Sequence, residues 1–183
     1  LMEQIFGKPI VTQEQMRTRI RELGKQISAD YVGKELILIG VLKGAFAFYA
    51  DLARAIRVPL RVDFLVVTSY AGKTKSSGKV KMITDLTEEI KGRDVLLVED
   101  IVDSGLTLQY LIKTLSKRKP RSIRACSLLS KPARRRVEVP LQYIGFEIPD
   151  KYVVGYGLDY EQGYRNLPYL AVLDKVDEEG QQV

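Results

Sequence analysis

The sequence predicts an α/β fold with a mostly parallel central sheet flanked by helices, on three observations. Apolar runs stand at 35–42 (ELILIGVL), 61–70 (RVDFLVVTSY), 93–100 (RDVLLVED) and 122–130 (SIRACSLLS), with helical stretches after the first and the third. Those runs are nearly continuous in apolar residues, as strands covered on both faces are. A chain of 183 residues suffices for one well-buried domain but not for two large ones. Strands alternating with helices imply right-handed crossovers and a ligand site outside the strands' carboxyl ends.

Taken in order, Thr12-Gln13-Glu14-Gln15 has the form of a capping box and opens a helix running to about Ala29. The strand Glu35–Leu42 follows, then a helix in GAFAFYADLARAI and a second strand ending at Tyr70. Residues 71–79 (AGKTKSSGK) are polar and aperiodic, which reads as a mobile loop. RDVLLVED is the third strand, and LTLQYLIKTL a helix with Leu108, Leu111, Ile112 and Leu115 on its apolar side. SIRACSLLS is the fourth strand, with shorter strand-like pieces around Tyr143, Val153 and Leu170–Val176.

Composition narrows the chemistry. The chain contains no histidine, which removes Ser-His-Asp and Cys-His triads, His-ligated zinc and imidazole bases. Acid–base work is left to carboxylates, Lys or Tyr. The lone Cys126 lies in an apolar strand and reads as a buried structural thiol. An excess of 29 Lys+Arg over 23 Asp+Glu gives a net charge of +6 and favours an anionic ligand without naming one. The runs Lys117-Arg118-Lys119 and Arg134-Arg135-Arg136 could touch RNA, but such runs are more often solvated faces. No apolar run reaches the ~18–20 residues that span a bilayer, and no secretory pattern is present; the expectation is a cytoplasmic protein.

The most informative stretch is VEDIVDSGLT, Val98 to Thr107, with Glu99, Asp100 and Asp103 within five positions of one another. Acids that close repel unless a cation or a sugar hydroxyl takes up their lone pairs. Ser104-Gly105-Leu106-Thr107 then leads into a helix, where small residues let backbone N–H groups and hydroxyls wrap a phosphate. The spacing is not that of a Walker A loop, and no GxGxxG dinucleotide fingerprint occurs. A phosphate cradle beside two acids suited to hydroxyls describes a site for a phosphorylated ribose.

VLLVEDIVDSGLT resembles the signature of the type I phosphoribosyltransferases, which bind 5-phosphoribosyl-1-diphosphate. GVLKGAF, SLLSKPARR, GFEIPDKYVVGYGLDY and YRNLPYL extend the resemblance over nearly the whole chain, to the bacterial hypoxanthine(-guanine) members. The resemblance implies a single domain over 1–183, with a core at about 30–140 and a small hood from the terminal segments, about 1–11 and 141–183. It also implies Glu99 and Asp100 on the ribose hydroxyls, partly through Mg²⁺, and Asp103 as general base facing the purine N7. Ser104, Gly105, Leu106 and Thr107 would cradle the 5-phosphate, and Lys43, Gly44 and Arg165 would meet the diphosphate. Lys131 would bond the oxygen at C6 of the base, Tyr152 would stack on it, and the Val153 backbone would read its other edge. Asp159, beside the purine, would ligand a second Mg²⁺, and a lid beginning at Ser69 and Tyr70 would close over the reacting centre. A cis peptide is expected at Leu42–Lys43. The implied substrates are a 6-oxopurine and 5-phosphoribosyl-1-diphosphate, in a homodimer or homotetramer with no membrane or nucleic-acid partner.

Three other readings compete. Orotate and adenine phosphoribosyltransferases share the phosphate loop, but would not be expected to carry SLLSKPARR together with DKYVVGYGLDY. A nucleic-acid-binding regulator on the same fold would have no use for Asp103, Lys131, Asp159 and Arg165 together. A flavodoxin-like phosphoacceptor has no use for the Ser104–Thr107 cradle.

Overall fold

A computed structural model describes residues 9–69 and 80–173. Helix α1 (Gln13–Asp30) begins at the expected capping box: the Gln15 N–H donates to Thr12 Oγ1 at 3.2 Å, and the Thr12 N–H to Gln15 Oε1 at 2.8 Å. Strand β1 (Leu36–Leu42), helix α2 (Phe46–Ala55), strand β2 (Leu60–Ser69) and strand β3 (Val80–Thr84) follow. Then come β4 (Asp94–Val102), helix α3 (Leu106–Ser116), β5 (Ser122–Ser130), a 3-10 turn at Pro132–Arg134 and β6 (Tyr143–Glu147). The two-residue strands β7 (Val153–Val154) and β8 (Ala171–Val172) form a separate antiparallel pair.

The main sheet has the order β3-β2-β1-β4-β5-β6 and is parallel except for β3 at its edge. Alternate residues of the central strands enter opposite cores. Leu36, Leu38, Leu96 and Val98 pack with Met16, Ile20, Leu23 and Ile27 of α1 and Phe48 and Leu52 of α2. Ile37, Ile39, Val95 and Leu97 pack with Leu108, Leu111 and Leu115 of α3. Burying each large apolar side chain is worth about 1.5–3 kcal/mol, so both faces stabilise the sheet, and the sequence shows runs rather than alternation. Cys126 lies in the first of these cores, where burial pushes its thiol far above the usual range, as suits a structural residue.

Two expectations need correction. β3 does not stand out in the sequence: its residues are half-buried or exposed, because an edge strand has a weak apolar signature. β4 runs to Val102, so Glu99 and Asp100 lie within the strand and only Asp103 follows it. The strand continues because Ile101 and Val102 pair in register with Leu129 and Ser130 of β5. Their apolar side chains are split between the two cores.

The chain leaves β1 toward β2 and leaves β4 toward β5, in opposite directions across the sheet. The crevice between the carboxyl ends of β1 and β4 is the place where such sheets take ligands.

Candidate active site

That crevice holds a cavity of about 500 Å³. Lys43 and Gly44 after β1, Glu99 and Asp100 of β4, and Asp103, Ser104, Gly105 and Thr107 after it all line the cavity, with Asp159 and Arg165 from the far side. Lys131, Tyr152 and Val153 stand outside this lining, as does Leu106, which opens α3. Tyr70 and the loop 71–79 lie outside the described residues; Ser69 ends β2, its backbone in register with Val80.

The phosphate-cradle geometry follows from Gly105. It takes a left-handed conformation, φ 85°, where a Cβ would also come 2.9 Å from the Val137 carbonyl oxygen. No side chain caps α3, apart from a long contact from the Leu106 N–H to Ser104 Oγ at 3.4 Å. The first-turn N–H groups therefore face the cavity as an anion site, with the helix dipole behind them. From below, the Arg136 and Val137 N–H groups donate to the Ser104 carbonyl at 3.0 and 3.3 Å. Arg135 donates to Ser130 Oγ at 2.9 Å. The Arg134-Arg135-Arg136 run is therefore a support for the site as well as a basic surface.

The acids are the least satisfied groups. Glu99 is 4% exposed, and its Oε1 has no hydrogen-bond partner among the described residues. Burial, with the Asp100 charge beside it, pushes its carboxyl well above the ordinary range. Burial also lifts Asp100 from 3.8 to about 6, although the Ile101 N–H and the Arg165 charge pull the other way. Gly44 makes room for Asp100, since a Cβ there would lie 1.6 Å from Asp100 Oδ2. The preceding peptide bond, Leu42–Lys43, is cis, as the resemblance implied.

Across the crevice, Arg165 pairs with Asp159 at 2.7 Å and donates to the Gly157 carbonyl at 2.7 Å. Gln162 joins this cluster, its N–H donating to Asp159 Oδ2 at 2.9 Å and its Oε1 accepting from Lys43 at 3.5 Å. A Cβ on Gly157 would come 2.0 Å from the Gly44 carbonyl oxygen, so the two loops meet backbone to backbone. Tyr152 is half-buried and donates to the Asp159 carbonyl at 3.1 Å, with Tyr160 edge-on at 6.0 Å. Val153 is buried and pairs with Val172 in the small sheet. Lys131 is buried at the end of β5, its N–H bonded to the Val102 carbonyl at 3.1 Å.

Two residues that sequence reasoning passed over belong here. Arg134 Nε lies 3.2 Å from Asp103 Oδ1, a charge contact rather than an aligned hydrogen bond. Arg134 Nη1 and Lys131 Nζ both approach Asp150 Oδ1, at 3.5 and 3.7 Å. The usable signal for Arg134 was a basic run at the carboxyl end of a parallel strand; Asp150 left none.

Among the described residues no three acids converge closely enough to cage a metal ion. Magnesium needs no such cage, because it keeps waters and takes one or two carboxylates with substrate phosphate oxygens. The unpartnered Glu99 oxygen and the raised Asp100 fit that kind of site. Chemically, the crevice offers an anion cradle, acids awaiting a cation or hydroxyls, and cations on the opposite wall.

Comparison with known proteins agrees with this arrangement. The phosphoribosyl transferase domain family matches residues 8–161. The hypoxanthine-guanine phosphoribosyltransferase of Mycobacterium avium is 52% identical over 171 residues, 90% of this chain and 84% of that protein. The hypoxanthine phosphoribosyltransferase of Salmonella typhimurium is 47% identical over 171 residues, 92% of this chain and 96% of that one. The crystal structure of a Staphylococcus aureus hypoxanthine phosphoribosyltransferase superposes with a TM-score of 0.90 at 43% identity, covering 94% of each chain. The chain belongs to the hypoxanthine(-guanine) phosphoribosyltransferase family.

Proposed function

We propose that this enzyme serves purine salvage, transferring the 5-phosphoribosyl group of 5-phosphoribosyl-1-diphosphate to N9 of hypoxanthine and of guanine. The products are IMP or GMP and diphosphate. The observation that supports this reading best is the meeting, in one crevice, of an uncapped helix N-terminus, a buried Glu99 with an unpartnered oxygen and, beside it, Asp100, both carboxyls pushed up by burial.

Each residue then has work to do. The Ser104–Thr107 backbone and hydroxyls hold the 5-phosphate. Glu99 and Asp100 take the ribose 2- and 3-hydroxyls and, with Asp159, are the groups that would hold Mg²⁺. When bound, that ion supplies charge neutralisation for the departing diphosphate. Lys43, Gly44 and Arg165 face the same diphosphate. As the C1–oxygen bond to diphosphate breaks and the C1–N9 bond forms, positive charge develops on the ribose, a charge type also met in glycoside hydrolysis. Asp103 accepts the purine proton at N7. Help of that kind is worth ~10²–10⁴ in rate. A lid beginning at Ser69 and Tyr70 excludes water that would otherwise hydrolyse the sugar diphosphate.

Tyr152 stacks on the base, the Val153 backbone reads one edge, and Lys131 reads the other. An ammonium has three donors and no acceptor, so it bonds the C6 oxygen of a 6-oxopurine. Facing adenine it meets an amino group, donor against donor. A site built to pair a polar group can reject the wrong analogue by ~10⁴ or more.

The whole chain forms one domain in this reading. Its hood is drawn from about 1–11 and 141–183; within the latter stretch β6 pairs with β5 in the main sheet, and the small sheet starts at Val153. Val62 and Phe64, 53% and 37% exposed on one side of β2, with Phe46 close by in sequence to the site, suit a face shared with a second copy in a homodimer or homotetramer. A cytoplasmic setting suits an enzyme whose one cysteine is free.

Initial rates with magnesium, 5-phosphoribosyl-1-diphosphate and either hypoxanthine or adenine test the assignment. Efficient turnover of hypoxanthine and negligible turnover of adenine are expected. Lys131→Ala is expected to lower kcat/KM for hypoxanthine and to narrow its advantage over adenine. Substantial adenine turnover by the wild type would remove Lys131 from its role, and the 6-oxopurine assignment with it.

A further inference from the structure

Asp150 has no part in the reaction outlined above, yet it faces two cations of the base pocket. It sits in the turn between β6 and β7, two residues before Tyr152. That turn is tied to the end of β5 through the Ile148 N–H, which donates to the Ser130 carbonyl at 3.0 Å, next to Lys131. It is tightened by the Lys151 N–H on the Pro149 carbonyl at 2.8 Å.

One oxygen of Asp150 meets both cations: Lys131 Nζ at 3.7 Å and Arg134 Nη1 at 3.5 Å. Arg134 reaches on to Asp103 through Nε at 3.2 Å. The Lys131 side chain is 6% exposed and that of Asp150 26%. An ammonium buried to that degree needs a counter-charge, and Asp150 supplies it. Arg134 Nη1 donates a long hydrogen bond to Asp150 at 3.5 Å, whereas Lys131 at 3.7 Å is held by charge alone. Lys131 therefore keeps donors to turn toward an incoming carbonyl oxygen.

Resting on the reaction proposed above, we propose that Asp150 is a positioning residue. It aims Lys131 at the C6 oxygen of the purine and, through Arg134, orients Asp103 toward N7. One carboxylate thereby ties the group that selects the base to the group that takes its proton.

The test compares Asp150→Asn and Asp150→Glu with the wild type in turnover and in equilibrium binding of IMP and ribose 5-phosphate. Ribose 5-phosphate engages the phosphate cradle without the base pocket, so it separates the two halves of the site. Asp150→Asn is expected to raise KM for hypoxanthine and weaken IMP binding about ten- to a hundredfold, the scale of a lost charge pair. Its ribose 5-phosphate affinity and its KM for 5-phosphoribosyl-1-diphosphate are expected to stay within about twofold, since tenfold corresponds to one charge-assisted contact. Asp150→Glu, which restores the charge, is expected to recover part of the IMP affinity. Arg134→Gln is expected to lower kcat more than it raises KM for hypoxanthine.

Wild-type KM for hypoxanthine and wild-type IMP affinity in Asp150→Asn would overturn the proposal. So would equal weakening of IMP and ribose 5-phosphate, the mark of a general disruption. Wild-type protein that makes no nucleotide from hypoxanthine would overturn the assigned reaction instead, while the ratio of the two binding affinities still reads Asp150.

Discussion

At the amino end of β4, Asp94 is 4% exposed and fully partnered, whereas toward the carboxyl end Glu99 is 4% exposed with no partner for Oε1 among the described residues. Asp94 accepts from Arg121 Nε at 3.0 Å and from Arg121 Nη2 on one oxygen, and from Ser122 Oγ at 2.6 Å on the other. Those Arg121 bonds hold its carboxyl below the usual range despite burial. Burial with no such partner pushes Glu99 well above it. Two carboxylates of equal solvent exposure on one strand thus differ in how deeply they are packed and in what faces them. The fold completes Asp94; on the proposed function, a ligand would complete Glu99. Burial alone does not mark a functional acid; burial without a partner does.

The sharpest way to press this contrast is through Asp103, the acid assigned to the proton. Asp103→Asn is expected to lose ~10²-fold or more in kcat, with KM for 5-phosphoribosyl-1-diphosphate little changed, because a general base acts in the transition state. Steady-state kinetics on the purified variant reads this directly, and near-normal kcat would break the assignment.

Next in size is the structural acid. Asp94→Asn is expected to cost about 1–3 kcal/mol of unfolding free energy at neutral pH, the range for a lost charged hydrogen bond, while turnover stays close to wild type. Because the folded value is depressed, this stability is present above the ordinary carboxylate range and is lost as pH falls through the depressed value. Denaturant titrations of wild type and variant are therefore expected to converge in strong acid.

The carboxyl end runs the other way. Asp100, lifted from 3.8 to about 6, contributes stability below its ordinary value that is lost as pH rises through about 6. An Asp100→Asn protein is accordingly expected to gain stability on wild type as pH rises through that window. Unfolding midpoints at several pH values check it, and a difference that stays flat with pH would contradict it.

The same contrast explains what the sequence could and could not say. VLLVEDIVDSGLT carries a strand, acids and a cradle within one local stretch, and the structure keeps them together along the carboxyl half of β4 and the turn after it. The buried strands were legible because both faces are covered, which leaves the apolar runs unbroken. β3 was not, since its residues alternate weakly at a sheet edge. That β4 continues past its acids was not legible either, since the pairing of Ile101 with Leu129 is a tertiary fact. The clustering of Glu99 with Asp100 and Asp103 marks it locally, but which of the two acids the fold partners cannot be read from the chain. The partners of Asp94 come from residues 121 and 122, while Glu99 Oε1 finds none among the described residues. Arg134 and Asp150 were hidden for the same reason, being 16 positions apart in the chain and joined only by the fold.

Glu99→Gln tests the central distinction most directly, by guanidinium unfolding beside wild type at pH 7.5. If Glu99 is held unpartnered for a ligand, the variant is expected to be at least as stable as wild type, since Oε1 loses no partner among the described residues and a carboxyl whose ionisation is costly at that depth gives way to a neutral amide. A loss of stability on the scale of Asp94→Asn would contradict that, and would make Glu99 a second structural acid.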